Sequence, residues 1–395
     1  MKILMVLEKQ FPPDTRVEKE AKSLMNAGHQ VHIASPTFTP GPQETVHEGI
    51  KIHYKKISAF TYKSSIGCLR FPFYFNFWRH FIGDLFKEYS FDAIHVHDLP
   101  LAQIGIEIKN RYKIPFILDL HENFPSALEI AQHTNTFPGS LFFSSKQWRT
   151  YERYAVQQAD KVIAVVQEMK NRITELGIPS EKIVIVENTP DLSNHSFQSD
   201  TEHSHDPDHI HMIYLGGINI HRGLQIVIRG MPEIIKEYPN VVLDIYGNGR
   251  YLNALQKLSL RLKVNGNVFF HGSYEQNEAI NIISKADITL IPHLKSEQTD
   301  NSSPNKLYQY LLLGKFVIAS NCESISRIIH ESECGMIYNH DSPHDFAIKT
   351  LTSIAQKKYQ LTCTKGMNLI QKKYNWDVSV KTLLNIYRQI ETESK

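Results

Sequence analysis

Residues 302–320 read SSPNKLYQYLLLGKFVIAS, a helix opening at Pro304 and closing on Gly314, followed at once by an apolar strand. Proline suits a first helical turn, where its missing N–H leaves nothing unpaired, and glycine suits the end, where positive φ is needed. Ser303 is the expected N-cap, with Pro304 at the first helical position. The strand FVIAS (316–320) is apolar throughout rather than alternating, so both of its faces need cover. That is the pattern of a parallel sheet packed between helices. On the helix, Asn305, Lys306 and Gln309 fall at i, i+1 and i+4 and share one polar face around the first turn. A helix otherwise built for burial keeps that face for something other than core.

The same strand–helix unit recurs on both sides of this stretch. MIYLGG (212–217), VVLDIYG (241–247), NVFFHG (267–272), DITLIP (287–292) and GMIYN (335–339) read as strands with helices between them. In the first half, KILMVL (2–7) precedes a helix with Val17, Ala21, Leu24 and Met25 on one face, ended by Gly28. QVHIA (30–34), FDAIHVHD (91–98), PFILDLHE (115–122), DKVIAVV (160–166) and EKIVIVEN (181–188) follow, with helices near 100–112, 145–158 and 167–176. Between the two series, residues 191–211 lack periodicity and large apolar side chains and read as a linker. The expected organisation is a Rossmann-like domain over 1–190, a polar linker over 191–209 and a second Rossmann-like domain over 210–375. An amphipathic helix over 376–395, with Val378, Leu383 or Leu384 and Tyr387 on its apolar side, is expected to pack back towards the first domain. The fold class is α/β, two doubly wound domains leaving a cleft between the carboxyl ends of their sheets, where such domains bind ligands.

Composition narrows the function. The 395 residues carry 43 basic and 41 acidic side chains, and the balance holds in both halves, which argues against a nucleic-acid binder. No run approaches the ~20 apolar residues that span a bilayer, and MKILMVLEK is too short for a signal-peptide core. Cys68, Cys322, Cys334 and Cys363 form no CxxC pair or zinc spacing, so reduced thiols and a cytoplasmic location are expected. A dinucleotide-binding enzyme would place GxGxxG after the first strand. That loop, EKQFPPDT (8–15), has no glycine, and YGNGR (246–250) is only a lone GxG.

Several stretches taken in order carry a family resemblance. FPPDTRVEKEAKSLMNAGHQV (11–31), FDAIHVHD, DLHENFP (119–125), VIVENTPD (184–191), LGGINIHRGL (215–224), LDIYGNGR (243–250), VFFHGSYEQNE (268–278), ADITLIP (286–292) and SPNKLYQYLLLGKFVIAS (303–320) resemble the retaining GT-B glycosyltransferases of family 4 (group 1), across nearly the whole chain. The resemblance implies transfer of a sugar from a nucleotide-sugar donor to a glycan or lipid-linked acceptor, with no metal or other cofactor and a role in surface polysaccharide assembly. It gives His121 a place around the transferred sugar and Arg222 a place on the diphosphate. Gly217 stands where the family carries a second cation. Gly216, Gly217, Gly247, Gly249, His271, Asn305, Lys306 and Gln309 fall on the donor side, and Arg16, His97, Asp98 and Glu122 on the acceptor side. Physical reasoning agrees for several of these. His97, Asp98 and His121 end strands, where catalytic groups of open α/β sheets collect. GGINIHRGL joins a strand to a helix whose free N–H groups suit a diphosphate. Lys306 can reach the same anion, so His121, Arg222 and Lys306 are the candidate catalytic residues.

Other signals carry less. DPD (206–208) has the form of a metal-binding DxD, but it lies in the linker with His203, His205, His209 and His211, with no preformed cage. In residues 70–86, Phe73, Phe77, Trp78, Phe81, Ile82 and Leu85 form a wide apolar face. Arg79 and Lys87 alternate there with Asp84 and Glu88, so core packing is favoured over docking on a membrane. Two alternative functions share the fold: a nucleotide-sugar epimerase, and a non-catalytic nucleotide-sugar-binding subunit of a glycosyltransferase complex. At residue 309 the family carries a Glu on the ribose hydroxyls, with another eight positions earlier, where this chain has Asn301. Glu297 or Asp300 could take that earlier place if the loop shifts. An amide still accepts one ribose hydroxyl but forgoes a charge-assisted bond worth about 1 kcal/mol more. Gln309→Glu is therefore expected to tighten nucleotide binding several-fold in a titration, and weakened binding would refute that assignment.

Overall fold

The computed structural model describes residues 1–131, 134, 142–193 and 208–393. Most of the linker, with His203, His205 and Asp206, lies outside the described residues. The chain forms two compact units, Met1–Asn188 with Ser379–Lys395, and Thr189–Val378.

The first unit is built on an eight-stranded sheet in the order β3-β4-β2-β1-β5-β6-β7-β8. Its strands are β1 (Lys2–Val6), β2 (Gln30–Thr37), β3 (Glu44–His47), β4 (Ile50–Lys56), β5 (Ala93–His97), β6 (Phe116–Leu120), β7 (Lys161–Ala164) and β8 (Ile183–Ile185). All pairs are parallel except β3–β4. β5 and β6 are buried along their whole length, including the polar His95, His97 and Asp119 that interrupt their apolar runs. The β3–β4 hairpin was not expected from the sequence. Its signal was the turn Glu48–Gly49, both at positive φ, between ETVH and the alternating IKIHYKK. Helix Thr15–Asn26 is capped by Asp14, whose side chain accepts from the Arg16 and Val17 N–H groups. It buries Val17, Ala21 and Leu24 as its periodicity dictates, and also Arg16 and Glu20, which periodicity does not explain.

Helix Phe73–Glu88 buries Tyr74, Phe75, Trp78, Phe81, Ile82 and Leu85, so the core reading holds for most of it. Phe73 is a correction: it is exposed while Tyr74 and Phe75 in the same turn are buried, so it points off the packed face. From Ser379 onward the helix Trp376–Glu393 belongs to the first unit. It buries Leu383, Ile386, Tyr387 and Ile390, and the Tyr387 hydroxyl meets His95 Nδ1 at 2.8 Å. Val378, expected on its apolar side, is exposed because it precedes that contact.

The second unit carries a six-stranded parallel sheet in the order β11-β10-β9-β12-β13-β14. Its strands are β9 (Ile210–Leu215), β10 (Val241–Tyr246), β11 (Val268–Gly272), β12 (Ile288–Ile291), β13 (Phe316–Ser320) and β14 (Gly335–Tyr338). Thr189 and Pro190 already belong to this unit, where the Pro190 carbonyl accepts from the Trp376 N–H at 2.9 Å. All four cysteines are free and buried. Among the described residues no helix is long and apolar enough to cross a membrane.

Gly105, inside helix Ala102–Tyr112, shows how tightly that helix meets the sheet. A Cβ there would lie 2.3 Å from the ring of buried Phe116. Alanine usually favours a helix by about 1 kcal/mol over glycine, but an overpacked core costs about 1–3 kcal/mol. Gly105→Ala should therefore lower the urea midpoint, and an unchanged or raised midpoint would contradict this packing.

Candidate active site

In the first unit the chemistry collects beyond the carboxyl ends of β1, β5 and β6, three adjacent strands. Asp119, in β6, is fully buried and organises the group. Arg16 donates to it from Nη2 at 3.0 Å and from Nε at 3.3 Å, and donates from Nη1 to the Val186 carbonyl at 3.0 Å. The same Nε lies 3.1 Å from Glu20 Oε1. His121 Nε2 stands 3.1 Å from Asp119 Oδ2, and His97 Nδ1 stands 3.3 Å from that same oxygen. His95 stacks on His97 with centroids 4.4 Å apart, and Asp98, at positive φ, brings Oδ2 to 3.8 Å from His121 Nδ1.

These contacts set the charges. Burial resists a positive His121, but the carboxylates of Asp98 and Asp119 outweigh it and push its pKa up to about 9. Burial likewise works against an ionised Asp119, yet Arg16 and His121 hold it well below the usual carboxylate range. Burial raises Glu20 and leaves His95 neutral, well below the ordinary histidine value. At the end of β1, burial and then Asp98 push Glu8 up to about 7.

Arg16, expected on the acceptor side, is corrected to an internal role, because its guanidinium is buried and engaged by Asp119, Glu20 and Val186. His97 is also buried and positions His121. Asp98, His121 and Glu122 keep partial exposure. Glu20, His95, His97 and Asp119 bring potential ligand atoms within 4.8 Å of one another. Arg16 already supplies the positive charge that the two carboxylates need. Sequence reasoning missed Glu8 and Glu20; for Glu20 the signal was an acid on the apolar face of its helix.

In the second unit Gly216, Gly217 and Arg222 follow β9, Gly247 and Gly249 follow β10, His271 lies in β11, and Asn305, Lys306 and Gln309 lie on helix Asn305–Leu312. Arg222 falls in the 3-10 turn Ile220–Arg222, just before helix Leu224–Glu237. Its Nη1 donates to His293 Nε2 at 2.7 Å, while its buried Nε has no hydrogen-bond partner. His293 follows β12 and was not singled out in the sequence. Burial, then Arg222, holds it well below the ordinary histidine value, so it accepts as a neutral imidazole. The loops after β9 and β12 touch directly: Leu294 N donates to His221 O at 2.9 Å, and a Cβ at Gly223 would meet the Pro292 oxygen at 1.6 Å.

Gly247 and Gly249 are required by backbone contact, whereas Gly216, at a φ of 150°, would bring a Cβ 3.0 Å from the Tyr214 hydroxyl. A Cβ at Gly247 would come 1.9 Å from Gly216 O, and one at Gly249 would come 2.1 Å from Ile218 O. Gly217 has open space, with Asn219 Nδ2 nearest at 3.6 Å. His271 stacks on Tyr246 with centroids 4.3 Å apart and reaches Asp244 Oδ1 at 2.7 Å, while His211 takes the other oxygen at 2.7 Å. Lys306 extends over the Tyr274 ring and donates to Gln309 Oε1 at 3.2 Å; burial lowers its pKa. Asn305 is exposed at the start of helix Asn305–Leu312.

The capping expectation is corrected. Pro304 itself is the N-cap, with ψ of 69° outside the helical range, and the buried Ser303 hydroxyl has no partner. The preceding loop contains a short helix, Glu297–Asp300, closed by a Ser296–Thr299 capping box. Asp300 accepts from the Glu323 N–H at 2.8 Å and Asn301 donates to Glu297 O at 2.6 Å, so both are committed to the loop.

Sequence and structure comparisons agree with this architecture. Residues 13–189 match the glycosyl transferase 4-like domain and residues 209–356 the glycosyl transferases group 1 domain. The chain belongs to the group 1 glycosyltransferases with the GT-B fold. A glycogen synthase of Mycobacterium tuberculosis is 24% identical over 202 residues, 51% of this chain and 46% of that one. The chain thus spans about half the length of that curated relative. Sucrose-phosphate synthase from Thermosynechococcus elongatus superposes with a TM-score of 0.79 at 13% identity, covering 100% of both chains. Anabaena HepE in complex with UDP gives 0.69 at 13% identity, covering 98% of this chain and 100% of that one. At such identities these likenesses speak for the fold. Neither the epimerase nor the non-catalytic subunit is favoured by these matches.

The histidine cluster yields a titration. The folded pKa of His121, about 9, lies above its ordinary 6.5. Its stabilisation is complete below about 6.5 and is lost as pH rises through about 9. NMR of the His121 ring should show this high midpoint, and Asp98→Asn should lower it; a midpoint near 6.5 in the parent protein would contradict the charge assignment.

Proposed function

We propose that this chain moves a sugar from a nucleotide-sugar donor to a glycan or lipid-linked acceptor with retention of anomeric configuration. On this reading it works in surface polysaccharide or glycoconjugate assembly in the cytoplasm and needs no metal. One observation carries the donor half. Arg222 and Lys306, both partly buried, have no carboxylate partner among the described residues; they are held by a neutral imidazole and an amide. Half-buried cations left uncompensated at the carboxyl ends of parallel strands suit an anion, and a diphosphate matches two of them.

In the reaction, the bond from the anomeric carbon to the diphosphate breaks while the acceptor oxygen bonds to the same face. The hydroxyl proton passes to the departing diphosphate. Arg222 and Lys306 stabilise the charge growing on that leaving group, the kind of term that dominates many enzymes. His121, kept protonated by Asp98 and Asp119, faces the transferred sugar as a hydrogen-bond donor. Gly217 adds no charge, so His293 takes on the task of orienting the single guanidinium.

Thermal unfolding with nucleosides, nucleoside diphosphates and nucleotide sugars tests the donor half. A ligand at 100 times its dissociation constant stabilises the folded state by about 2.7 kcal/mol. Arg222→Ala should lose most of the diphosphate shift and keep the nucleoside shift; equal losses, or no nucleotide shift in the parent protein, would refute the assignment.

A further inference from the structure

Between Glu48 and Asp84 the sequence contains no acidic residue, yet it carries Lys51, Lys55, Lys56, Lys63, Arg70 and Arg79. The same segment presents three of the large exposed aromatics of the first unit. Phe60 is 69% exposed, Phe73 49% and Phe71 42%, and Phe38 beside them is 44%. They are contiguous: Phe60 meets Phe73 at 5.7 Å, Phe73 stacks on Phe71 at 6.3 Å, and Phe38 meets Tyr62 at 5.0 Å. Lone exposed apolar residues need no explanation, but a connected aromatic patch does. Lys56, Lys63 and Arg70 are exposed within this stretch. Lys56 and Lys63 form no ion pair with a described residue. Exposed phenylalanines on a segment that carries basic side chains and no acid match the interface of an anionic bilayer, where rings enter the acyl boundary and cations meet headgroups.

We infer that the patch formed by Phe60, Phe71 and Phe73 with Lys56, Lys63 and Arg70 docks the first unit on an anionic lipid surface. The charge selects this occupant over a second copy of the chain, since self-association would press like charges together. The docking element is not the wide apolar face of helix Phe73–Glu88, which is core, but the short helix Ala59–Lys63 and the turn leading into Phe73. That segment also abuts the acceptor-side strand ends, because Ser65 and Tyr74 lie beside Glu8 and Tyr62 lies beside Lys9. Resting on the glycosyltransferase reading, this places acceptor chemistry next to the headgroups.

Co-sedimentation of the full chain with vesicles tests the docking, using phosphatidylcholine alone or mixed with phosphatidylglycerol. Binding should be at least about tenfold stronger with phosphatidylglycerol and fall in high salt. Phe60→Ser with Phe73→Ser should weaken it roughly tenfold. Lys56→Glu with Lys63→Glu should remove most of the preference for anionic lipid. The substituted residues are exposed, and an unchanged melting temperature verifies each fold. Absence of binding, or binding indifferent to both pairs of substitutions, would overturn the proposal. So would a concentration-dependent dimer that the Phe pair abolishes while vesicle binding persists. Nucleotide-dependent stabilisation of the same variants reads the donor site separately, so the failure of either reading is distinguishable.

Discussion

A carboxylate buried without counter-charge costs more than a fold can sustain, and Asp119 is a fully buried carboxylate in the middle of the first sheet. Its environment is therefore organised to keep it ionised. Arg16 reaches it from helix Thr15–Asn26, His97 from β5 and His121 from the end of β6. Breaking a buried pair of this kind costs about 3–5 kcal/mol, because the remaining charge is stranded. The same contacts tie helix Thr15–Asn26 to the residue just after β8 through the Val186 carbonyl. Through His95 stacked on His97, they extend to Tyr387 on the carboxyl-terminal helix. The charge state of partly exposed His121 is thus set by buried Asp119 together with Asp98 beside it.

The second unit meets a different constraint. Its loops approach one another backbone to backbone, so Gly223, Gly247 and Gly249 are demanded by Pro292, Gly216 and Ile218. This close approach presents the turn before helix Leu224–Glu237 with its lone arginine, and His293 completes it. The contrast is functional as well as structural. One unit uses buried acids to hold a protonated imidazole; the other leaves Arg222 and Lys306 without a carboxylate partner among the described residues.

Much of this was legible in the sequence because parallel strands covered on both faces must be apolar without alternation. FILDL, FVIAS and VVLDIY could hardly be read otherwise, and the second sheet contains every strand expected of it. The β3–β4 hairpin escaped notice because β3 is short, largely polar and at the sheet edge, and because β4 alternates apolar and polar residues where the other strands run apolar. Phe73 was misplaced because apolar periodicity does not locate the edge of a face, and the covered face passes through Tyr74 and Phe75 instead. Arg16 fell on a matching motif and belongs to the interior, since a motif records position and not the direction of a side chain.

Local chemistry in the sequence determined the two α/β halves, the strand-end positions of His97, Asp98 and His121, and the absence of a glycine-rich dinucleotide loop. These follow from periodicity and from the backbone preferences of glycine and proline, which act over a few residues. Tertiary structure decided which charges meet. Arg16 and Asp119 lie 103 residues apart in sequence, Arg222 and His293 71 apart, and His95 and Tyr387 292 apart. Burial, and with it the protonation of His121 and the exposure of the Phe60 patch, exists only once those segments have packed.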